Sequence, residues 1–271
     1  MSNLWILVKK YWFSIALSLL IWLPLGSFIA ASSLLLIFMY WPENFDTIDF
    51  NQFQTEQSSL ILLAHGAHDN SESWLIPLQQ AYNKRQHSAQ VMPLNWSNYA
   101  QTPLNCAIKA GRIGKLLGEE ILISKNLNNV HLIGHSCGAF VIYAACKAIK
   151  ETNNNIVVQT TYLDPLSING INWRYGLDHF GTCADYSEAY IDTEDGVIGS
   201  NELLPHTHTY DVTAVRKATN SSSSPHNWPT MYYLQLVTAG IEPNYAFDKT
   251  LADKKPRGIL EVVKQAVTPS H

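Results

Sequence analysis

Several features are scarce or missing in this chain of 271 residues. Charged residues make up 15% of it, the net charge is −4, and no stretch forms a basic stripe. Nucleic-acid binding, which depends on clustered Lys and Arg, is therefore not predicted. Internal repeats are absent, and the only low-complexity stretch is the serine run at 221–224. The composition instead fits one ordinary globular domain with an additional segment.

The additional segment is N-terminal, where no charged residue occurs from Tyr11 to Trp41. A membrane-spanning helix needs about 20 mostly apolar residues, so this interval is long enough to span. Lys9 and Lys10 precede it, and residues 42–58 contain no Lys or Arg. The positive-inside rule then puts the N-terminus in the cytoplasm and the rest of the chain outside.

We therefore predict a cytoplasmic stub and transmembrane signal-anchor at 1–41, a linker at 42–57 and a globular domain at 58–271. The protein would be a single-pass membrane protein with this domain on the extracytoplasmic side. Two alternatives remain open. A signal peptide could be cleaved near residues 27–31, or a helical hairpin could turn at residues 24–26.

The chain has only four cysteines, which is compatible with an oxidising compartment without proving it. Cys137 and Cys146 fall on or beside one predicted helix. We expect these two to be buried free thiols. Cys106 and Cys183 are then the more plausible disulfide pair.

In the globular domain, apolar runs of strand length alternate with helical patterns. This alternation predicts an α/β fold, with a mostly parallel sheet and helices on both faces. Functional groups in such sheets collect at the carboxyl ends of the strands. The predicted strands are 59–64, 89–94, 130–133, 156–163, 186–191 and 207–212; the predicted helices are 71–82, 103–126, 139–150, 225–239 and 260–266.

The stretch Gly134-His135-Ser136-Cys137-Gly138 lies between a predicted strand and a predicted helix. A serine on such a sharp turn presents its hydroxyl above the sheet edge, and the flanking glycines avoid collisions with the neighbouring strand and helix. The hydroxyl alone is a weak nucleophile and needs a base and an orienting acid. Ser136 is therefore the candidate nucleophile.

Asp164 follows the next predicted strand and is the first candidate acid. Asp192 and Asp195, after the strand beyond it, are the other candidates. The order Ser, Asp, His typical of hydrolases selects His226 as the base. His131 is expected on a sheet face, and His135 is expected to be unable to reach the serine beside it.

The developing oxyanion needs two backbone N–H donors. Cys137, which follows the nucleophile, would supply one, and Ala67 in the loop His65-Gly66-Ala67 would supply the other. Trp74 and Asp69 are candidates for bracing this loop. Such chemistry requires no metal and no cofactor.

These stretches resemble the pancreatic-type lipases and phospholipases A1 of the α/β-hydrolase fold. The likeness covers about residues 58–240. It comprises the loop at 65–69 with Trp74, the serine turn at 129–139, the turn at 162–165, and His226 followed by Tyr232-Tyr233. The resemblance favours Asp164 over Asp192 as the acid. The segment 217–225, where that family carries a lid, is short and serine-rich, and the chain has no room for a C-terminal β-sandwich.

The sequence therefore predicts a lid-poor serine hydrolase of carboxylic esters, with small-molecule or lipid-derived esters as substrates. Acyl transfer, or thioester or amide cleavage by the same triad, remains an alternative. A third possibility is a non-catalytic, membrane-tethered module that uses the fold for binding.

Overall fold

A computed structural model describes residues 2–40, 43–70, 72–85, 89–170, 172–243 and 255–267. The chain divides into two compact units, Met1–Asn44 and Phe45–His271. The predicted end of the anchor, Trp41, lies outside the described residues.

The first unit contains one helix, α1, which spans Ser2–Tyr40 and includes Pro24. Because the helix continues through Pro24, the hairpin alternative is wrong. Within it, Ala16–Ile37 is long and apolar enough to cross a membrane. A signal sequence of this length and position would show the same features.

The second unit contains a seven-stranded sheet in which every pair of neighbouring strands is parallel. The strand order is β2-β1-β3-β4-β5-β6-β7. The predicted parallel α/β fold is confirmed. The strands are β1 (Ser59–Ala64), β2 (Gln90–Leu94), β3 (Asn129–His135), β4 (Val157–Leu163), β5 (Tyr186–Ile191), β6 (His208–Asp211) and β7 (Ile259–Val262).

Helices cover both faces of this sheet, and each face has its own buried hydrophobic cluster. All six residues of β1 are buried, as expected of a central strand covered on both faces. α3, α4 and α5 pack on one face, and α2, α6 and α7 on the other. The helices are α2 (Leu75–Lys84), α3 (Pro103–Ile121), α4 (Gly138–Thr152), α5 (Tyr175–His179), α6 (Thr213–Ala218) and α7 (Trp228–Ala239).

Two boundaries of the second unit differ from the sequence-based expectation. The predicted linker contributes Phe45, Ile48 and Phe53 to the buried core of this unit. The predicted helix at 260–266 is wrong, because β7 occupies Ile259–Val262 and pairs with β6 at the sheet edge. Three apolar residues in a run of four suit a short strand as well as a helical turn.

The disulfide prediction is also wrong. The structure pairs Cys106 with Cys137 and Cys146 with Cys183, and each pair has a Cα–Cα distance of 6.0 Å. The reason is the packing of α3 along α4, which brings Cys106 to the start of α4. Cys137 and Cys146 are therefore not free thiols.

Candidate active site

Ser136 lies between the end of β3 and the start of α4, at the carboxyl edge of the sheet. Its φ is 53°, a conformation that non-glycine residues seldom adopt and that is typical of a strained turn carrying a nucleophile. The backbone N–H of Ser136 donates to the carbonyl of Leu163 at 3.1 Å, which ties the turn to β4. The predicted turn is therefore present in the backbone.

The flanking glycines have no room for a side chain. A Cβ on Gly138 would lie 2.5 Å from the carbonyl oxygen of Ala64, and one on Gly134 would lie 2.6 Å from that of Gly138. The obstructing atoms are backbone atoms in both cases, so neither contact can be relieved by a side-chain rotation. The spacing of the sequence motif thus follows from the close approach of β1, β3 and α4.

The loop after β1 packs directly against the serine. A Cβ on Gly66 would lie 2.7 Å from the Ser136 Cβ and 3.3 Å from its Oγ. His65 Nδ1 lies 2.8 Å from the carbonyl oxygen of Gly66, and Trp96 Nε1–H donates to the carbonyl of His65 at 3.1 Å. Trp96 and His65 thus brace this loop, a role that the sequence suggested for Trp74 and Asp69.

The backbone N–H groups of Ala67 and Cys137 are the predicted oxyanion donors. Among the residues that the structure describes, neither N–H donates a hydrogen bond. Cys137 is also the residue immediately before α4, where the partial positive charge of a helix N-terminus favours an anion. Its side chain is bonded to Cys106 of α3, which anchors this residue from the other side.

The structure brings Asp164 to His226, as the sequence predicts. His226 Nδ1 lies 2.9 Å from Asp164 Oδ2. Asp164 is fully buried, and its Oδ1 accepts a hydrogen bond from the backbone N–H of Asp192 at 3.0 Å. A buried carboxylate on Nδ1 keeps the proton there, which leaves Nε2 to act as the base.

A second carboxylate reaches the same nitrogen. Asp195 Oδ2 lies 3.0 Å from His226 Nδ1. Asp192, by contrast, is bound by Arg216, whose Nε lies 2.5 Å from its Oδ2. Of the two alternative candidate acids, Asp192 is therefore paired with Arg216, whereas Asp195 is close enough to hold the histidine.

The charges in this group are strongly coupled. Burial raises the pKa of Asp164 well above its ordinary value. Burial also opposes ionisation of Asp195, but hydrogen bonds from His226 and Ser200 outweigh it and lower the pKa of Asp195. For His226, the two carboxylates outweigh burial and raise the pKa to about 9.

His135 contacts His226 from β3, with the ring centroids 4.7 Å apart. Its Nε2 lies 3.0 Å from the carbonyl oxygen of His226. Because its buried Nδ1 has no hydrogen-bond partner among the described residues, the proton is assigned to Nε2, which donates to that carbonyl. Burial and the charge of His226 lower the pKa of His135 to about 3, so it holds His226 as a neutral donor. His131 is buried within β3 and bonds Thr161, as expected of a sheet-face residue.

One expected contact is not formed. Within the described residues, no hydrogen bond joins Ser136 Oγ to His226. Such contacts are often long in free enzymes and tighten when substrate binds.

A cavity of about 520 Å³ opens beside His226 and is lined by Ala67, His68, Trp74 and the serine run 222–224, among others. Polar and apolar atoms contribute about equally to its lining, and the cavity is partly open at the surface. The cavity therefore admits solvent, consistent with the short segment found in place of a lid.

The same three side chains could also bind a metal ion. One ligand atom each from Asp164, Asp195 and His226 lies within 4.8 Å of the others. A metal on His226 Nδ1 would displace the proton that the base role requires, so the two roles exclude each other.

The fold and this site define an α/β-hydrolase. The family model described as Lipase matches residues 37–174, about half of the chain. The chain belongs to this family and is a lipase-like hydrolase. The matched segment includes Ser136 and Asp164 and ends before Asp195 and His226.

Solved structures of α/β-hydrolases are also similar, at low identity. A putative hydrolase from Xanthomonas campestris has 12% identity over 72% of this chain and 98% of its own, with a TM-score of 0.41. An extracellular α/β-hydrolase from a Paenibacillus species has 18% identity over 40% of this chain, with a TM-score of 0.30. The chain covers 41% of that protein. No curated protein sequence matches the chain.

Proposed function

We propose that the protein is a serine hydrolase of carboxylic esters. Ser136 attacks the ester carbonyl while His226 Nε2 accepts its proton, and His226 then donates a proton to the leaving alcohol. Water, activated by the same histidine, cleaves the acyl-enzyme. The observation that carries this proposal is the hydrogen bond between His226 Nδ1 and the buried Asp164, at the same sheet edge as the strained Ser136 turn.

Two backbone donors support the proposed chemistry. Among the described residues, the N–H groups of Ala67 and Cys137 donate no hydrogen bond, and both border the turn that carries Ser136. Loss of one such donor typically lowers the rate on the order of 10²–10³-fold. The close packing of Gly66 on Ser136 supports a rigid loop at this position.

For the substrate, we propose small or lipid-derived esters. Membership of the Lipase family supports an ester substrate. The partly open cavity, with a mixed polar and apolar lining, supports substrates whose acyl chain is not enclosed by a lid. We further propose that α1 anchors the protein, with the hydrolase domain outside the cytoplasm. A protease-protection assay on vesicles tests this topology.

A binding module without catalysis is the second candidate. One observation favours it, namely that no hydrogen bond joins Ser136 Oγ to His226 among the described residues. The module would need the cavity beside His226 but not the serine hydroxyl.

A fluorophosphonate probe separates these two candidates, because it labels only activated serines. The full chain should be labelled and should hydrolyse p-nitrophenyl acetate, and Ser136→Ala should lose both properties while remaining folded. Ser58→Ala is the matched control, because Ser58 is exposed at the opposite end of β1. Equal turnover in the wild type and Ser136→Ala would refute the proposal.

A further inference from the structure

His226 presents one nitrogen to two carboxylates. Nδ1 carries a single hydrogen, yet Asp164 Oδ2 lies 2.9 Å away and Asp195 Oδ2 lies 3.0 Å away. A serine–histidine–acid site needs one carboxylate at this nitrogen. The second carboxylate therefore has no role in a simple three-residue mechanism.

We propose that Asp195 is a second positioning residue of the site, which holds the Nδ1–H of His226 jointly with Asp164. This inference rests on the proposed function, because it concerns how the base is oriented. It differs from the choice of one acid among alternatives, since both carboxylates act together.

The position of Asp195 is fixed by its own loop. Its Oδ2 accepts hydrogen bonds from Ser200 Oγ at 2.5 Å and from the Val197 N–H at 3.2 Å. Asn201 Nδ2–H also donates to its carbonyl oxygen at 3.1 Å. The residue as a whole is 8% exposed. The loop after β5 therefore presents a fixed carboxylate to the histidine.

Asp164 is fixed as firmly from the other side. It directly follows β4 with a φ of 44°, its N–H donates to the carbonyl of Tyr190, and its Oδ1 accepts from the Asp192 N–H. Neither carboxylate can swing away from His226 without breaking these bonds. The two loops, after β4 and after β5, thus converge on one imidazole nitrogen.

Two carboxylates this close cannot both be ionised at little cost, so the pair shares one proton. Burial raises the pKa of Asp164, whereas hydrogen bonds from His226 and Ser200 lower the pKa of Asp195, so Asp195 is the first of the two to ionise. The pair titrates as a unit. Removal of either member therefore leaves one carboxylate, which ionises and holds the histidine.

The other titratable groups near His226 do not supply the negative charge that holds its Nδ1–H. His135, from β3, stays neutral, because burial and the neighbouring His226 lower its pKa. His68 and Asp69, from the loop after β1, line the same cavity without a hydrogen bond to His226 among the described residues. Arg216, from α6, is occupied by Asp192. Within the part of the chain that the structure describes, Asp164 and Asp195 are the carboxylates that contact the imidazole.

The test compares Asp164→Asn, Asp195→Asn and the double variant in the full chain. With p-nitrophenyl acetate, each single variant should lose about 10-fold or less in kcat/KM. The double variant should lose about 10³–10⁴-fold, as triads do without their acid. Glu194→Gln, which removes an exposed carboxylate from the same loop, should behave as the wild type.

The pH profile distinguishes positioning from a purely structural role. The acidic limb of kcat/KM reports the pKa of His226, because the base must be neutral. In the wild type that pKa is about 9, and it should stay raised in both single variants. In the double variant, the limb should move to lower pH by about two units or more, since only burial remains.

Three outcomes would overturn the proposal. In the first, Asp164→Asn alone loses all activity. In the second, Asp195→Asn alone loses all activity while Asp164→Asn remains active. Either result would mean that a single carboxylate holds His226. In the third, the acidic limb of the pH profile of kcat/KM does not move in the double variant. If the wild type is neither labelled nor active, the proposed function has failed. An NMR titration of His226 in the same variants then still measures whether the two carboxylates act jointly.

Discussion

Around Ser136 the chain excludes side chains, whereas around His226 it gathers charged ones. The nucleophile half of the site, Gly66 and 134–138, works through backbone groups that approach each other closely. The charge half, Asp164, Asp195 and His226, works through buried side chains that hydrogen-bond each other. The nucleophile half depends on glycines, which lack a Cβ. The charge half depends on the protonation states of the two carboxylates and the histidine.

This difference has a consequence for substitutions. In the nucleophile half one added methyl group collides with backbone, and the surrounding strands cannot move without cost. In the charge half, an Asp→Asn change keeps the shape of the side chain, removes its charge and replaces one acceptor oxygen with an NH2 donor. Stability and activity should therefore fall together in the first half and separate in the second.

Among single substitutions that leave Ser136, His226 and both carboxylates in place, the largest effect is expected for Gly138→Ala. The new Cβ would lie 2.5 Å from the carbonyl oxygen of Ala64 and 2.7 Å from that of His65. Relief of these contacts must displace the Ser136 turn from the oxyanion loop. We expect a loss of about 100-fold or more in kcat/KM, together with a destabilisation of roughly 1–3 kcal/mol. Ester hydrolysis and thermal unfolding measure the two effects, and wild-type activity in a folded variant would contradict the close packing.

The nucleophile half could be predicted because its requirements are local. Two glycines and a serine, between an apolar strand and a helix, are contiguous in sequence, and the structure confirms the turn at Ser136. The parallel sheet was predicted for the same reason, since uninterrupted apolar runs such as β1 indicate strands covered on both faces.

The charge half depends on how separate loops meet, which no local pattern encodes. Asp195 and Asp192 are equivalent candidates in sequence, and the structure separates them because Arg216 pairs with Asp192 whereas Asp195 contacts His226. The one available signal was the loop after β5, which ends at the same sheet edge as Asp164. The disulfide pairing could not be predicted for a similar reason, because Cys106 meets Cys137 only through the packing of α3 on α4.

The two disulfides provide the next test of the comparison. Both closed loops are of similar length, with sequence separations of 31 and 37, so removal of either should cost about 3–4 kcal/mol. Only Cys137 carries a proposed oxyanion donor. Cys106→Ala/Cys137→Ala should therefore also lose about 10-fold in kcat, whereas Cys146→Ala/Cys183→Ala should keep its kcat.

This second prediction is measured below the unfolding temperature of both double variants, with KM recorded separately. A fall in kcat with unchanged KM is expected, because the oxyanion contact is made in the transition state. Equal kcat values in the two double variants would show that the backbone alone holds Cys137 in position.

The smallest effect is expected for the stability of two α3 variants, at Gly114, which the packing requires, and at Gly111, which it does not. Gly111 lies exposed in α3, and a Cβ there would meet no atom within 4 Å. Gly111→Ala should therefore stabilise the protein by roughly 0.5–1 kcal/mol through helix propensity, without a change in activity. Gly114→Ala, one turn later on the same helix, should destabilise it, because its Cβ would collide with the carbonyl oxygen of Val141 on α4. Thermal unfolding of the pair measures both signs, and a stable Gly114→Ala would mean that α3 can move away from α4, and hence that Cys106 does not hold Cys137 rigidly.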